Sequence, residues 1–101
     1  NNRIQLSRAE AIVRRRVNER WMLEGVTLQD PSSTYIDAAV KVGRDTMILA
    51  NTHLRGETTI GAECTIGPNA VIKENVTTMT YSKVKVKRIP DATFNLNLLM
   101  R

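Results

Sequence analysis

A single cysteine, Cys64, excludes an internal disulfide framework and any CxxC zinc site. Aromatic rings are nearly as scarce. Trp21, Tyr35, Tyr81 and Phe94 make up 4% of 101 residues, so aliphatic side chains must build the interior. No apolar run approaches the ~18 residues that cross a bilayer, and no membrane partner is expected. What is present is enough for one small domain, with 42% apolar and 25% charged residues, too apolar for a disordered chain. The opening Asn1-Asn2-Arg3 carries neither an initiator methionine nor a secretory signal. It is read as a cut from a longer, cytoplasmic protein.

The net charge of +5 is uneven. Residues 1–24 hold six Arg and three Glu, residues 25–82 four basic and six acidic groups, and residues 83–101 five basic groups and Asp91. Two basic ends thus flank a slightly acidic middle. Ser7-Arg8-Ala9-Glu10 has the form of a capping box, and Gly25 suits a helix C′ position, so a helix is predicted over about residues 7–24. Its apolar side, Leu6, Ala9, Val13, Val17 and Trp21, is weak and interrupted by Glu10 and Arg20, as in a helix that bridges two bodies.

From Ile36 onward the period changes. An aliphatic residue returns every sixth place at Ile36, Val42, Ile48, Leu54, Ile60, Ile66 and Ile72. Four places after each stands a mostly small residue: Val40, Thr46, Thr52, Thr58, Cys64, Ala70 and Val76. Glycine follows the aliphatic position at Gly43, Gly61 and Gly67, where it permits backbone conformations that a Cβ resists. Flat-sheet alternation does not return every six residues; a β-helix does, with both series pointing inward and successive coils stacking like on like. The repeat fails after Val76, because Thr78 and Pro90 stand where aliphatics are due. There Lys83-Val84-Lys85-Val86-Lys87 alternates strictly, and two short strands around an Ile89–Ala92 turn are predicted, a possible cap for the open end.

The Asn1-Asn2-Arg3-Ile4-Gln5-Leu6-Ser7 opening, the Arg-rich helix, the Gly25-Val26 to Asp30-Pro31 turn and the hexads from Tyr35-Ile36-Asp37 together resemble one bacterial family. It is the bifunctional N-acetylglucosamine-1-phosphate uridyltransferase/glucosamine-1-phosphate N-acetyltransferase, and the likeness covers about residues 1–75. The resemblance implies the end of a nucleotidyltransferase domain at residues 1–6, a linker helix at 7–25 and a left-handed parallel β-helix at 26–77. Residues 78–101 form a divergent basic tail without a match. It also implies a homotrimer, acetylation of glucosamine-1-phosphate by acetyl-CoA, and uridylyl transfer from UTP with Mg²⁺ to make UDP-N-acetylglucosamine for the cell envelope. Asn1 matches the family's Mg²⁺-ligand asparagine, and an amide oxygen suits that hard cation, but the site's other parts lie outside this chain. The family's catalytic histidine and acetyl-CoA contacts match nothing here. The isolated chain is therefore expected to be an inactive scaffold and trimerisation piece that binds no cofactor itself.

Other candidates read as structural. His53, the only histidine, precedes Leu54 and so points outward, with no acidic group fixed beside it; it is expected to be an exposed surface side chain. Cys64 stands in the small inward series as a buried thiol. Arg14, Arg15 and Arg16 fan around a solvated helix. Lys83, Lys85, Lys87 and Arg88 lack an aromatic platform, which disfavours nucleic acid and leaves an acidic partner as the alternative role for the tail. With a little over two coils, the chain is expected to be an oligomer or a marginal monomer.

Overall fold

The computed structural model describes residues 2–73 and 76–77 and, for the backbone alone, residues 83–84, 88–89 and 94–95. Helix α1 spans Arg3–Leu23. It begins four residues before the expected start at about residue 7, because Asn2 and Gln5 make a capping box of their own. Asn2 Oδ1 accepts from the Gln5 backbone N–H at 2.9 Å, and Gln5 Oε1 accepts from the Asn2 N–H at 3.1 Å. At the other end Gly25 takes φ +95°. The Gly25 N–H then donates to Met22 O at 3.2 Å and the Val26 N–H to Trp21 O at 3.0 Å. This paired closure uses the left-handed conformation that glycine tolerates, so the sequence stops the helix where expected.

Two-residue strands follow: β1 (Thr27–Leu28), β2 (Tyr35–Ile36), β3 (Lys41–Val42), β4 (Met47–Ile48), β5 (His53–Leu54) and β6 (Thr59–Ile60). They continue as β7 (Thr65–Ile66), β8 (Val71–Ile72), β9 (Val76–Thr77), β10 (Lys83–Val84), β11 (Arg88–Ile89) and β12 (Phe94–Asn95). All pairing is parallel, in three sheets ordered β1-β4-β7-β10, β2-β5-β8-β11 and β3-β6-β9-β12. Each coil visits the three walls in turn. Val42 meets Ile60, Ile48 meets Ile66 and Leu54 meets Ile72, each pair 18 residues apart. This is the parallel β-helix that the hexads predict.

Both hexad series point inward. Ile48, Leu54, Ile66 and Ile72 are fully buried, Ile60 almost so, and Val40, Ala70 and Val76 fill the places between them. Each buried aliphatic contributes ~1.5–3 kcal/mol over an exposed position. Two of the threonines among them bond across coils, while Thr52 Oγ1 has no hydrogen-bond partner in the structure. Thr46 Oγ1 donates to Gly61 O at 2.7 Å and Thr58 Oγ1 to Lys73 O at 2.6 Å. Left-handed corners at Asp45, Asn51, Glu63 and Asn69, with φ between 56° and 62°, turn the chain from one wall to the next. Asn51 Nδ2 also donates to Asn69 Oδ1 at 2.9 Å, tying one corner to its equivalent a coil later.

The reason expected for glycine at Gly43 is corrected. Gly43 does not have positive φ; a Cβ there would run into the backbone of Gly61 and Ala62 on the neighbouring coil. Close approach of two corners, not an unusual dihedral, selects the residue.

Two register shifts lie outside the hexad frame. Thr27 pairs with Met47, 20 residues on, because the short 3₁₀ turn Pro31–Ser33 adds two residues to the first coil. Val26 and Leu28 therefore belong to the core although they are out of frame with Ile36. In the tail, Arg88 pairs with Val71 and Ile89 with Ile72, a spacing of 17. Ile89 thus takes the register place that the strict repeat gives to Pro90. Short strands do lie on either side of residues 90–93, with Ile89 on β11, and they continue the stack: β10, β11 and β12 pair with β7, β8 and β9.

The expected cap belonged to the C-terminal end, but a cap is found at the opposite one. Val17 and Trp21 of α1 pack on the core cluster that includes Val26, Leu28 and Ile36, so the last turns of the helix cover the first coil. The earlier turns leave Ile4, Leu6, Ile12 and Val13 exposed.

Candidate functional site: the joint between helix and coils

The helix is joined to the prism by a buried amide. Asn18 is fully buried on α1, and its Nδ2 donates to Pro31 O at 2.8 Å and Thr34 O at 2.9 Å. The acceptors are the first residue of the 3₁₀ turn and the residue that follows it, so one side chain ties the helix to the two-residue insertion. An unpaired amide would be costly to bury, and the two bonds offset most of that cost. Asn18 Oδ1 and the neighbouring Trp21 Nε1 have no hydrogen-bond partner in the structure.

Asp30 closes the same turn. Its carboxylate accepts from Ser32 Oγ at 2.8 Å, Ser33 Oγ at 2.9 Å and the Ser32 N–H at 3.3 Å. The two hydroxyl bonds hold its pKa below the ordinary carboxylate value, against a small opposing effect of burial. The Ser33 hydroxyl oxygen in turn accepts from the Asn51 N–H at 2.9 Å, which passes the turn's geometry to the second coil.

The third element of the joint is aromatic. Arg14 sits over the Tyr35 ring, 4.6 Å from its centroid, and the His53 ring stacks parallel to Tyr35 at 4.4 Å. His53 therefore does point out of the core, as expected, but it is half-buried against Tyr35 rather than an exposed surface group. Asp37 also stands close enough to act on it, correcting the expectation of no acidic neighbour. Arg14 departs from the solvated-helix reading by facing the prism. Arg15 and Arg16 keep to it: both are exposed, and Arg15 Nε pairs with Glu19 Oε1 at 3.1 Å in a pair open to solvent.

A groove of about 400 Å³ runs beside this stack, lined by Ala9, Val13, Arg14 and Val17 from the helix and Tyr35 and Asp37 from the first coil. Its polar groups come from the joint itself. Among the described residues no three His, Cys, Asp or Glu side chains are grouped to hold a metal ion, and no helix is long and apolar enough to cross a membrane. Asn1, the residue read as a Mg²⁺ ligand, lies outside the described residues, as do Lys85 and Lys87 of the tail. Cys64 is buried in the inward series as expected, its thiol donating to Ala62 O at 3.5 Å. Asn18 escaped the sequence reading entirely; its position on the helix just beside Val17, on the core-facing side, was the available signal.

The coils, and about three quarters of the chain as a whole, match known proteins. Residues 39–74 match the bacterial transferase hexapeptide (six repeats) family. The bifunctional protein GlmU of Caldanaerobacter subterraneus subsp. tengcongensis is 57% identical over 75 residues, 74% of this chain and 16% of that protein. GlmU of an Exiguobacterium species is 57% identical over 76 residues, 75% of this chain and 17% of that protein. GlmU of Rubrobacter xylanophilus is 54% identical over 76 residues, again 75% of this chain and 16% of that protein. The chain spans about a sixth of the length of these curated relatives. With three parallel walls and this identity over three quarters of its length, the chain belongs to the bifunctional GlmU family, of which it spans one segment.

Proposed function

We propose that this chain is the capped base of the acetyltransferase prism in a GlmU-like enzyme, and that its work there is scaffolding and trimerisation. The observation that carries this reading is the closed first coil. Val17 and Trp21 cover the core while Asn18 ties the helix to the inserted turn, so coils stack from a sealed end. Solenoids need such an end, because an open terminal rung exposes apolar area and unpaired strand edges. The winding is left-handed and the assembly a homotrimer by kinship with the same family. The intact cytoplasmic parent acetylates glucosamine-1-phosphate with acetyl-CoA and then transfers uridylate from UTP.

Among the described residues no group of three or more His, Cys, Asp or Glu side chains could hold a metal ion, and Asn1 lies outside them. The alternative role, in which the basic tail binds an acidic partner, draws no support from the relatives. Sedimentation equilibrium at micromolar concentration tests the scaffold reading: a trimer is expected, and a cooperatively folded monomer contradicts it. A coupled assay with acetyl-CoA and glucosamine-1-phosphate is expected to show no turnover, and turnover abolished by His53→Ala would overturn the assignment of that residue.

A further inference from the structure

Three side chains from separate stretches of sequence form a single stack across the joint. Arg14 comes from α1, Tyr35 from β2 and His53 from β5, and the last two face each other because Tyr35 pairs with His53 in the parallel register. The stack links the middle of the helix to the first and second coils at once. We propose that it is a proton-sensitive clasp: with a neutral imidazole at His53 it holds the middle of α1 to the prism, and an imidazolium there loosens that hold.

The reason lies in how charge is distributed around the ring. Arg14 is a permanent cation held on one face of Tyr35 by the ring's negative π-face. An imidazolium stacked on the same ring competes for the same electron density and brings a like charge toward the guanidinium. Other charged groups stand around His53. Arg55 stands just past the end of its strand, Lys73 takes the equivalent place one coil later, and Asp37 the equivalent place one coil earlier. Glu10 lies across the groove on the helix, and Val71, the strand partner on β8, is uncharged. Asp37 favours the imidazolium, but its Oδ2 is already engaged by the Gly56 N–H at 3.0 Å.

Burial first, and Arg55 second, outweigh Asp37 and hold the His53 pKa below its ordinary value of 6.5. A histidine depressed in this way binds its proton more tightly once unfolded or unclasped. The stability it provides is complete above the ordinary value and is lost as the pH falls through the folded-state value. Coupling is reciprocal: by whatever factor a docked Arg14 weakens proton binding at His53, protonation weakens docking of Arg14.

His53 is the only histidine, so its ring C2 proton gives one titrating NMR resonance. The wild-type midpoint is expected below ~6.5, the unperturbed histidine value. In Arg14→Gln, and in Arg14→Met, which keeps an apolar stem against Tyr35, the midpoint is expected to move up toward that value. Amide protection over residues 9–17 of the wild type, taken relative to the intrinsic exchange rate at each pH, should fall as the pH drops through the same window, and should not do so in His53→Gln. An identical midpoint in wild type and both Arg14 variants, or the same fall in protection in His53→Gln as in wild type, overturns the clasp.

Discussion

Replacing Asn18 by alanine removes the one side chain that ties α1 to the 3₁₀ turn. Two bonds are lost, at 2.8 Å to Pro31 O and 2.9 Å to Thr34 O. Thr34 O loses its donor outright and Pro31 O keeps only the long bond from the Thr34 N–H at 3.5 Å, together a cost of ~2–5 kcal/mol when water cannot replace the amide. The change also deletes Asn18 Oδ1, a buried acceptor without a partner, which returns ~1–2 kcal/mol. The net expectation is a loss of ~1–4 kcal/mol, with a void the size of a carboxamide between helix and turn. Asn18→Asp should be worse at neutral pH, because a carboxylate then faces two carbonyl oxygens. It should recover partly in acid, as a protonated carboxyl can donate to one of them. Trp21, the only tryptophan, is half-buried on the adjacent turn and reports locally by its emission during urea unfolding. Stability within ~0.5 kcal/mol of wild type for Asn18→Ala would refute the reasoning, as that is the range of a neutral surface change.

Other substitutions test the remaining parts. Gly43→Ala places a Cβ against the Gly61–Ala62 backbone and should cost ~1–3 kcal/mol or more, since neither corner can yield without shifting a coil; an unchanged melting temperature would contradict this. Ile66→Ala, at a fully buried place opposite Ile48, should lose ~2–5 kcal/mol in the same urea titration. Asp30 has a depressed pKa in the folded chain, so its contribution is present above the ordinary carboxylate value and is lost as the pH falls through the lowered one. Asp30→Asn should therefore flatten the acid limb of a pH-stability profile, and an unaltered limb would count against the turn's role.

What was legible in the sequence was whatever repeats. Ile48, Leu54, Ile60, Ile66 and Ile72 recur at a spacing that only stacked coils explain, and they fill one column of the core. The small inward series, Cys64 included, follows from the same geometry. Features that break the period were hidden. Val26 and Leu28 make the first rung, but the insertion at Pro31–Ser33 puts them out of step with Ile36. Ile89 replaces Pro90 in register because a single residue is lost between coils. The helix start was misplaced because Asn2-Gln5 and Ser7-Glu10 offer equally good boxes, and only the fold chooses between them. Asn18 was missed because polarity on a helix normally means solvent, and only the carbonyls of Pro31 and Thr34, 13 and 16 residues away, make its burial tolerable. The stacking of His53 on Tyr35 depends on an 18-residue register that becomes visible only once the coils are aligned.

The prism requires residues 18 apart to lie one above another inside it. Methyl–methyl nuclear Overhauser effects in protein labelled at isoleucine and leucine methyls measure this directly. Cross-peaks between Ile48 and Ile66 and between Leu54 and Ile72 are the predicted result. Their absence in folded protein, with each methyl seeing only its neighbours in sequence, would contradict the fold and the scaffold role together.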